Sequence, residues 1–198
     1  MFDELLAHPG VEEEVALRSR FGLMAFHGGS LEEMTDVIAV AAAERAGASV
    51  YVVRQPADFQ WHIPSAKVDP AHSESLRSFI EHVDVTIAVH GYGRRDMWTT
   101  LLLGGSNREL AARLGASLSI SLPDYEIVHD NDQIPIALRG LHPSNPVNLP
   151  RAGGVQLELP PRVRGMGPFW AEWDGDGFTP HTEALIDGLA AIARPPRD

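Results

Sequence analysis

The chain has no cysteine among its 198 residues. Disulfides and thiolate metal sites are thereby excluded, and a zinc site would have to be built from histidine and carboxylate. Lysine is almost missing as well. Lys67 is the only one, so the cations are nearly all arginine, the side chain best suited to bidentate recognition of carboxylates. Positive charge is scarce overall. The formal net charge of −11 argues against nucleic acid as a partner, because binding phosphates takes a basic surface. No apolar run is long enough to span a membrane. The acidic start "MFDELLAHPGVEEEV" has neither the basic residues nor the apolar stretch of a secretory signal. The expected location is the cytoplasm, with no membrane partner. What remains is ordinary for a globular protein, with 44% hydrophobic and 22% charged residues. The length fits one domain over residues 1–198.

The rhythm of the chain predicts an α/β class. "RFGLMAF" is an apolar strand ending at His27, and "ASVYVV" and "DVTIAV" are two more, the last ending at His90. Helical spacing fills the gaps. Leu31, Met34, Val37, Ile38 and Ala41 mark a helix from Ser30 to Arg45, stopped by Gly47, and "SESLRSFIEHV" marks a second. Strands alternating with helices imply crossover connections and a mixed, mostly parallel sheet flanked by helices. "WTTLLLGG" predicts a further strand. "SNRELAARLGA" predicts a helix capped by Ser106 or Asn107 and ended by Gly115. Five prolines between Ser117 and Pro150 predict a loop-rich segment with short strands at most. "GGVQLEL" is a strand, and "FTPHTEALIDGLAAIA" is a closing helix with Thr179 as its cap.

The stretch "MAFHGGSLEEM" carries two messages. Ser30 and Glu33 have the spacing of a capping box, which predicts that a helix begins at Ser30. That leaves Glu32 unexplained, along with His27 at a strand tip and two glycines that let the backbone turn. Ligands of open α/β sheets bind beyond the carboxyl ends of the strands. His90 ends another apolar strand and is again followed by glycine, in "AVHGYG". His27, Glu32 and His90 thus form a two-histidine, one-carboxylate set of the kind that holds zinc in thermolysin and carboxypeptidase A, with a fourth position left for water. Such a hydrolase needs a general base. In "VQLEL", Gln156 and Glu158 face away from Val155, Leu157 and Leu159. On a central strand Glu158 would open into the site, and on an edge strand it would face solvent. The pattern alone leaves both open.

Taken together, "HGGSLE", "VHGYG", "LLLGGSN" and "GLHPSNPVNLPRAGGVQLEL" resemble the poly-γ-glutamate hydrolases, over roughly residues 20 to 165. The resemblance implies a zinc carboxypeptidase-like α/β fold and a zinc amidohydrolase acting on an acidic peptide or polymer. It places zinc ligands at His27, Glu32 and His90 and the catalytic carboxylate at Glu158. One position departs from the pattern. The resemblance implies an Asn-Arg pair that receives substrate carboxylate, but here Asn148 is followed by Leu149. The candidates for substrate binding are therefore Asn148, Arg151, Arg94 and Arg139, with Arg95 and Arg108 as further arginines and Tyr92 as a donor to the reaction's oxyanion. His62 and His72 flank a proline-punctuated loop that would rim the site, and His142 lies in the loop before the Glu158 strand. Two other functions stay open: a non-catalytic protein that binds metal or acidic peptide, and a deacylase of small N-acyl amino acids.

Overall fold

In the computed structural model, residues 1–194 are described, so the last four residues of the expected 1–198 domain lie outside the described residues. The elements in chain order are α1 (Phe2–Leu6), β1 (Glu12–Ala16), β2 (Phe21–Gly29), α2 (Thr35–Ala46), β3 (Ser49–Gln55), α3 (Glu74–His82), β4 (Val85–Gly91), β5 (Thr100–Leu103), α4 (Arg108–Ser121), β6 (Glu126–Val128), β7 (Gly154–Leu159) and α5 (Pro180–Ala193). Short 3-10 turns, among them Ser65–Lys67, Pro146–Asn148 and Pro161–Arg164, fill the proline-rich connections.

The strands form one seven-stranded sheet in the order β1-β3-β2-β4-β7-β5-β6. β3, β2, β4 and β7 run parallel, while β1 is antiparallel to β3 and β5 to β7. This is the expected mixed, mostly parallel α/β sheet. Parallel neighbours need crossovers, and α2 and α3 supply the first two. The central strands are apolar on both faces because both faces are covered. On one face Ile38, Ala42, Leu114 and Leu189 of α2, α4 and α5 pack on Leu23, Val52, Ile87 and Leu157. On the other, Phe2, Leu76 and Phe79 of α1 and α3 pack on Met24, Phe26 and Tyr51. Each fully buried side chain of this size contributes about 1.5–3 kcal/mol.

The helix ends follow local chemistry. Ser73 accepts from the Leu76 amide at 2.9 Å and caps α3, and Asn107 does the same for α4 through the Leu110 amide at 2.9 Å. Gly115 does not end α4, which runs on to Ser121. Gly115 sits inside the helix, where a Cβ would stand only 3.1 Å from the His129 ring. The small residue permits close approach there rather than termination. β1 has no apolar alternation to announce it. As an edge strand it needs only backbone pairing with β3, and its glutamates find partners across that pair: Glu13 accepts from the Tyr51 hydroxyl at 2.7 Å, and Glu14 pairs with Arg54 at 2.7 Å. No helix among the described residues is long and apolar enough to cross a membrane.

Candidate metal and catalytic site

β2, β4 and β7 are adjacent and parallel, so their carboxyl ends share one edge of the sheet. His27 comes from the end of β2, His90 from the end of β4 and Glu158 from the end of β7. His90 and Glu158 are register partners. All three are buried, Glu158 to 4% exposure on a strand between β4 and β5, which rules out the solvent-facing edge position. Phe26 meets both imidazoles edge-on, at centroid distances of 4.9 Å to His27 and 4.8 Å to His90, and limits how either ring can turn.

Glu32 reaches this edge by a route other than a capping box. α2 begins at Thr35, not at Ser30, and its N-cap is Met34 with a left-handed φ of 72° and no side-chain cap. The Ser30 hydroxyl is turned away from the helix, donating to the carbonyls of Pro56 at 2.7 Å and Phe59 at 3.0 Å. Residues 30–34 instead form a turn closed at both ends. The Glu32 amide donates to the His27 carbonyl at 2.9 Å, and the Thr35 hydroxyl donates to the Glu32 carbonyl at 2.7 Å. Gly29, at φ 70°, starts the turn with its Cα against the Gln55 backbone, where no Cβ would fit. Glu32 is thereby folded back, while the Glu33 side chain points into solvent.

The Glu32 carboxylate joins the two histidines. Oε1 lies 3.0 Å from His27 Nδ1, and Oε2 lies 3.2 Å from His90 Nδ1 and accepts from the Gly91 amide at 2.9 Å. His27 Nε2 is 2.8 Å from the Ile63 carbonyl. A carbonyl only accepts, so Nε2 carries a hydrogen and a neutral ring would leave Nδ1 as a lone pair. A lone pair facing a carboxylate oxygen requires a proton or a cation between them. His90 Nε2 is buried with no partner in the protein, an atom left to be satisfied by something bound. This nitrogen and oxygen donor set fits a transition metal such as zinc, and the Ile63 carbonyl supplies the outer hydrogen bond that fixes a ligating ring. His62 adds another imidazole. Ligand atoms of His27, Glu32 and His62 lie within 4.8 Å of one another, but His62 is exposed on a loop, whereas His90 is buried and bonded to Glu32.

The electrostatics separate the two carboxylates. Burial opposes the ionisation of Glu32, but His90 and His27 outweigh it and hold its carboxyl well below the usual range. Burial also works against a charge on His90, and Glu32 overrides it and raises the imidazole pKa. For Glu158 burial wins: its pKa is pushed up to about 7, with His90 and Gln156 restraining the rise and Glu32 adding to it. The Gln156 amide nitrogen donates to Glu158 Oε1 at 2.8 Å, and Asn145 donates to Gln156 Oε1 at 2.7 Å. A carboxyl poised near neutrality suits proton transfer.

These groups form the floor of a cleft of about 550 Å³. Its walls are the loop at His62 and Pro64–Ala66 and the loop at Leu138–His142 with Asn145. Neither arginine nor lysine lines it among the described residues. The sequence-derived substrate candidates mostly lie elsewhere. Asn148 is spent on structure, accepting from the Ser106 amide and donating to the carbonyls of Gly140 and His142. Arg151 pairs loosely with Asp84 at the opposite, amino-terminal end of β4, 82% exposed. The Tyr92 hydroxyl is held by the carbonyls of Met97 and Thr100 in a small apolar cluster with Leu102 and Ile134. Arg139 turns its guanidinium to the carbonyls of Ile134 and Asp132. Arg94 and Arg95 stand exposed on the loop that leaves β4, and neither lines the cleft. The loop after His62 rims the site as expected, and the His62 ring stands 4.8 Å from that of His27. One residue had no sequence signal to single it out, Arg164, buried behind Gly91. The turn that carries Arg164 has no periodicity that would place it here.

Known proteins share this architecture. The family model described as poly-gamma-glutamate hydrolase matches residues 2–170. The structure of a bacteriophage poly-gamma-glutamate hydrolase superposes with a TM-score of 0.73 at 21% identity, covering 96% of this chain and 91% of that one. A zinc-free apo form of YndL superposes with a TM-score of 0.73 at 21% identity, covering 92% and 88%. A putative carboxypeptidase from Burkholderia mallei gives 0.51 at 12% identity, covering 96% of this chain and 63% of the other. No curated protein matches the sequence.

Proposed function

This chain belongs to the poly-γ-glutamate hydrolase family, and from that premise we propose that it is a zinc-dependent amidohydrolase cleaving γ-glutamyl-type amides in an acidic peptide or polymer. The observation that carries this reading is the convergence of His27 Nδ1 and His90 Nδ1 on the two oxygens of Glu32, beside a near-neutral Glu158 in the same cleft. His27, Glu32 and His90 would hold the metal. When bound, zinc supplies a Lewis acid that polarises a carbonyl oxygen and acidifies water. The chain's own residues do the rest. Glu158 takes a proton from the attacking water and passes it to the nitrogen of the leaving amine as the C–N bond breaks. Gln156 holds Glu158 in place through its amide. His62 and His142, at the mouth and along the wall, present polar groups to the substrate. Of the substrate-binding candidates, Asn148, Arg151, Tyr92 and Arg139 are engaged elsewhere, and exposed Arg94, on the loop after β4, is the one left to meet a substrate carboxylate.

The absence of arginine and lysine from the cleft lining among the described residues favours a second reading, a deacylase of small N-acyl amino acids on the same metal and base. One experiment tests both. Protein purified without chelator is analysed for metal and assayed against poly-γ-glutamate and against N-acyl amino acids. We expect about one zinc per chain and release of glutamate oligomers. Release from N-acyl amino acids alone would select the deacylase. A His27→Ala, His90→Ala double variant that kept its metal would overturn the ligand assignment.

A further inference from the structure

Among the described residues Arg164 is the only arginine the fold buries, at 7% exposure. It ends the turn Pro161–Arg164 that follows β7. That turn is seated on α5, where the Thr182 hydroxyl donates to the Val163 carbonyl at 2.9 Å and the Val163 side chain is fully buried. From this base the guanidinium reaches across the ends of β2 and β4. Nη1 donates to the Glu33 carbonyl at 2.7 Å, and Nη2 makes a longer contact of 3.5 Å to the Tyr92 carbonyl. Gly91 lies against the group, since a Cβ there would stand 2.9 Å from Arg164 Cζ and Nη1. The amide of that same Gly91 is the donor to Glu32 Oε2.

Every contact adjoins a residue of the proposed site. Glu33 follows Glu32, Gly91 and Tyr92 follow His90, and the arginine's own turn leaves the strand that carries Glu158. Burying a guanidinium is costly, and here Nε is buried without a partner. Burial works against its charge, while the carboxylates of Glu32, Glu33 and Glu158 work for it.

We propose that Arg164 is a positioning residue that clamps the Glu32 turn and the tail of β4 to the end of β7, and so fixes Glu32 and His90 relative to Glu158. It lies behind Gly91 and outside the cleft lining, so it meets no substrate. A planar guanidinium can donate to two carbonyls on separate segments, whereas a lysine offers one point and a methionine none. The consequence for metal and catalysis rests on the function proposed above, but the clamp itself does not.

The test combines Arg164→Met, Arg164→Lys, Gly91→Ala and the double variant Gly91→Ala/Arg164→Met. Amide hydrogen exchange of the metal-free proteins reads the clamp directly. We expect exchange in residues 30–35 and 91–92 to quicken at least about tenfold in Arg164→Met and less in Arg164→Lys. In the metal-loaded proteins, metal affinity should fall about ten- to a hundredfold, and kcat should drop while KM stays within about twofold. Gly91→Ala should reproduce these losses, because its Cβ displaces the guanidinium, yet add little once Arg164 is gone. Unchanged exchange in Arg164→Lys and Arg164→Met, or fully additive losses in the double variant, would overturn the proposal. Should Arg164→Met fail to fold, Arg164→Lys and Gly91→Ala still decide it through exchange. A wild type that binds no metal but whose variants show the quickened exchange would refute the function and uphold the clamp. A metal-loaded, active wild type whose variants exchange normally would refute the clamp alone.

Discussion

His90 and Glu158 are register partners on the neighbouring parallel strands β4 and β7, and both side chains face the same cleft. Their spacing is therefore set by backbone pairing in the middle of the sheet. An imidazole bonded to a carboxylate on one side and a desolvated carboxyl on the other is an arrangement that drives the two carboxyls of the site apart in acidity. Glu32 stays ionised, and Glu158 titrates near neutrality.

The first prediction concerns stability. Glu158 has its pKa raised from 4.5 to about 7 in the folded, metal-free chain. A raised folded pKa means that the folded state binds the proton more tightly. The contribution is fully present below pH 4.5 and is lost as pH rises through about 7. At pH 8 the ionised group costs at most about 3 kcal/mol. Glu158→Gln should therefore stabilise the metal-free protein at pH 8, with the gain vanishing toward pH 4.5, while abolishing hydrolysis. Denaturant unfolding at a series of pH values measures it, and a gain that grew toward acid would contradict the assignment.

Gln156 offers a test through pH and rate. Its hydrogen bond favours the ionised form of Glu158, and it relays a bond from Asn145. In Gln156→Leu the carboxyl loses that donor, so its pKa rises. The acid limb of the kcat/KM profile should move to higher pH, with a larger loss of rate at pH 6 than at pH 9. Stability should fall by about 1–3 kcal/mol, because Asn145 is left with an unpaired buried donor. A profile that kept its acid limb would show that Glu158 is not the group being titrated.

Two glycines at similar positive φ should behave differently. At Gly29 a side chain would collide with the Gln55 backbone, whereas at Gly47 nothing lies within 4 Å. Gly29→Ala should cost more than about 3 kcal/mol and release the Glu32 turn. Gly47→Ala should cost only the conformational strain of a left-handed residue at a helix end, about 1 kcal/mol. Thermal unfolding of the pair distinguishes collision from strain, and equal losses would refute the difference.

Two residues the sequence offered for substrate binding give a further contrast. Asn148 bonds three backbone groups, of Ser106, Gly140 and His142, so Asn148→Ala should lower stability by about 1–3 kcal/mol with KM little changed. Arg151 is exposed at the far end of the sheet, so Arg151→Ala should alter neither stability nor KM measurably. A tenfold rise in KM for Arg151→Ala would place substrate where the fold does not.

The strands and helices that carry the site were legible because periodicity marks them: "RFGLMAF", "DVTIAV" and "GGVQLEL" are the three strands whose ends meet. The sequence also separates Glu32 from Glu33, but the fold does so by a tight turn and not by a capping box. Ser30 has cap chemistry, yet its hydroxyl is claimed by Pro56 and Phe59, more than twenty residues away. Local propensity cannot see a tertiary acceptor. The same limit hid Arg164, whose partners lie 131 and 72 positions distant in sequence, and it made Asn148 and Arg151 look alike when one is bound into the backbone and the other is exposed. β1 escaped notice because an edge strand of glutamates shows no apolar alternation.

The cleft has a floor of strand ends and walls of two long proline-punctuated loops, around Pro64–Ala66 and around Leu138–Asn145. Chemistry and choice of substrate thus lie on separable parts of the chain. Wall residues other than Ile63 and Asn145, which bond His27 and Gln156, can be exchanged or recharged without moving an imidazole or a carboxyl, because the strand ends and the Glu32 turn hold those. A scaffold divided in this way can keep one reaction and change what it is performed on, and loop grafts between relatives would transfer preference without rebuilding the catalytic edge.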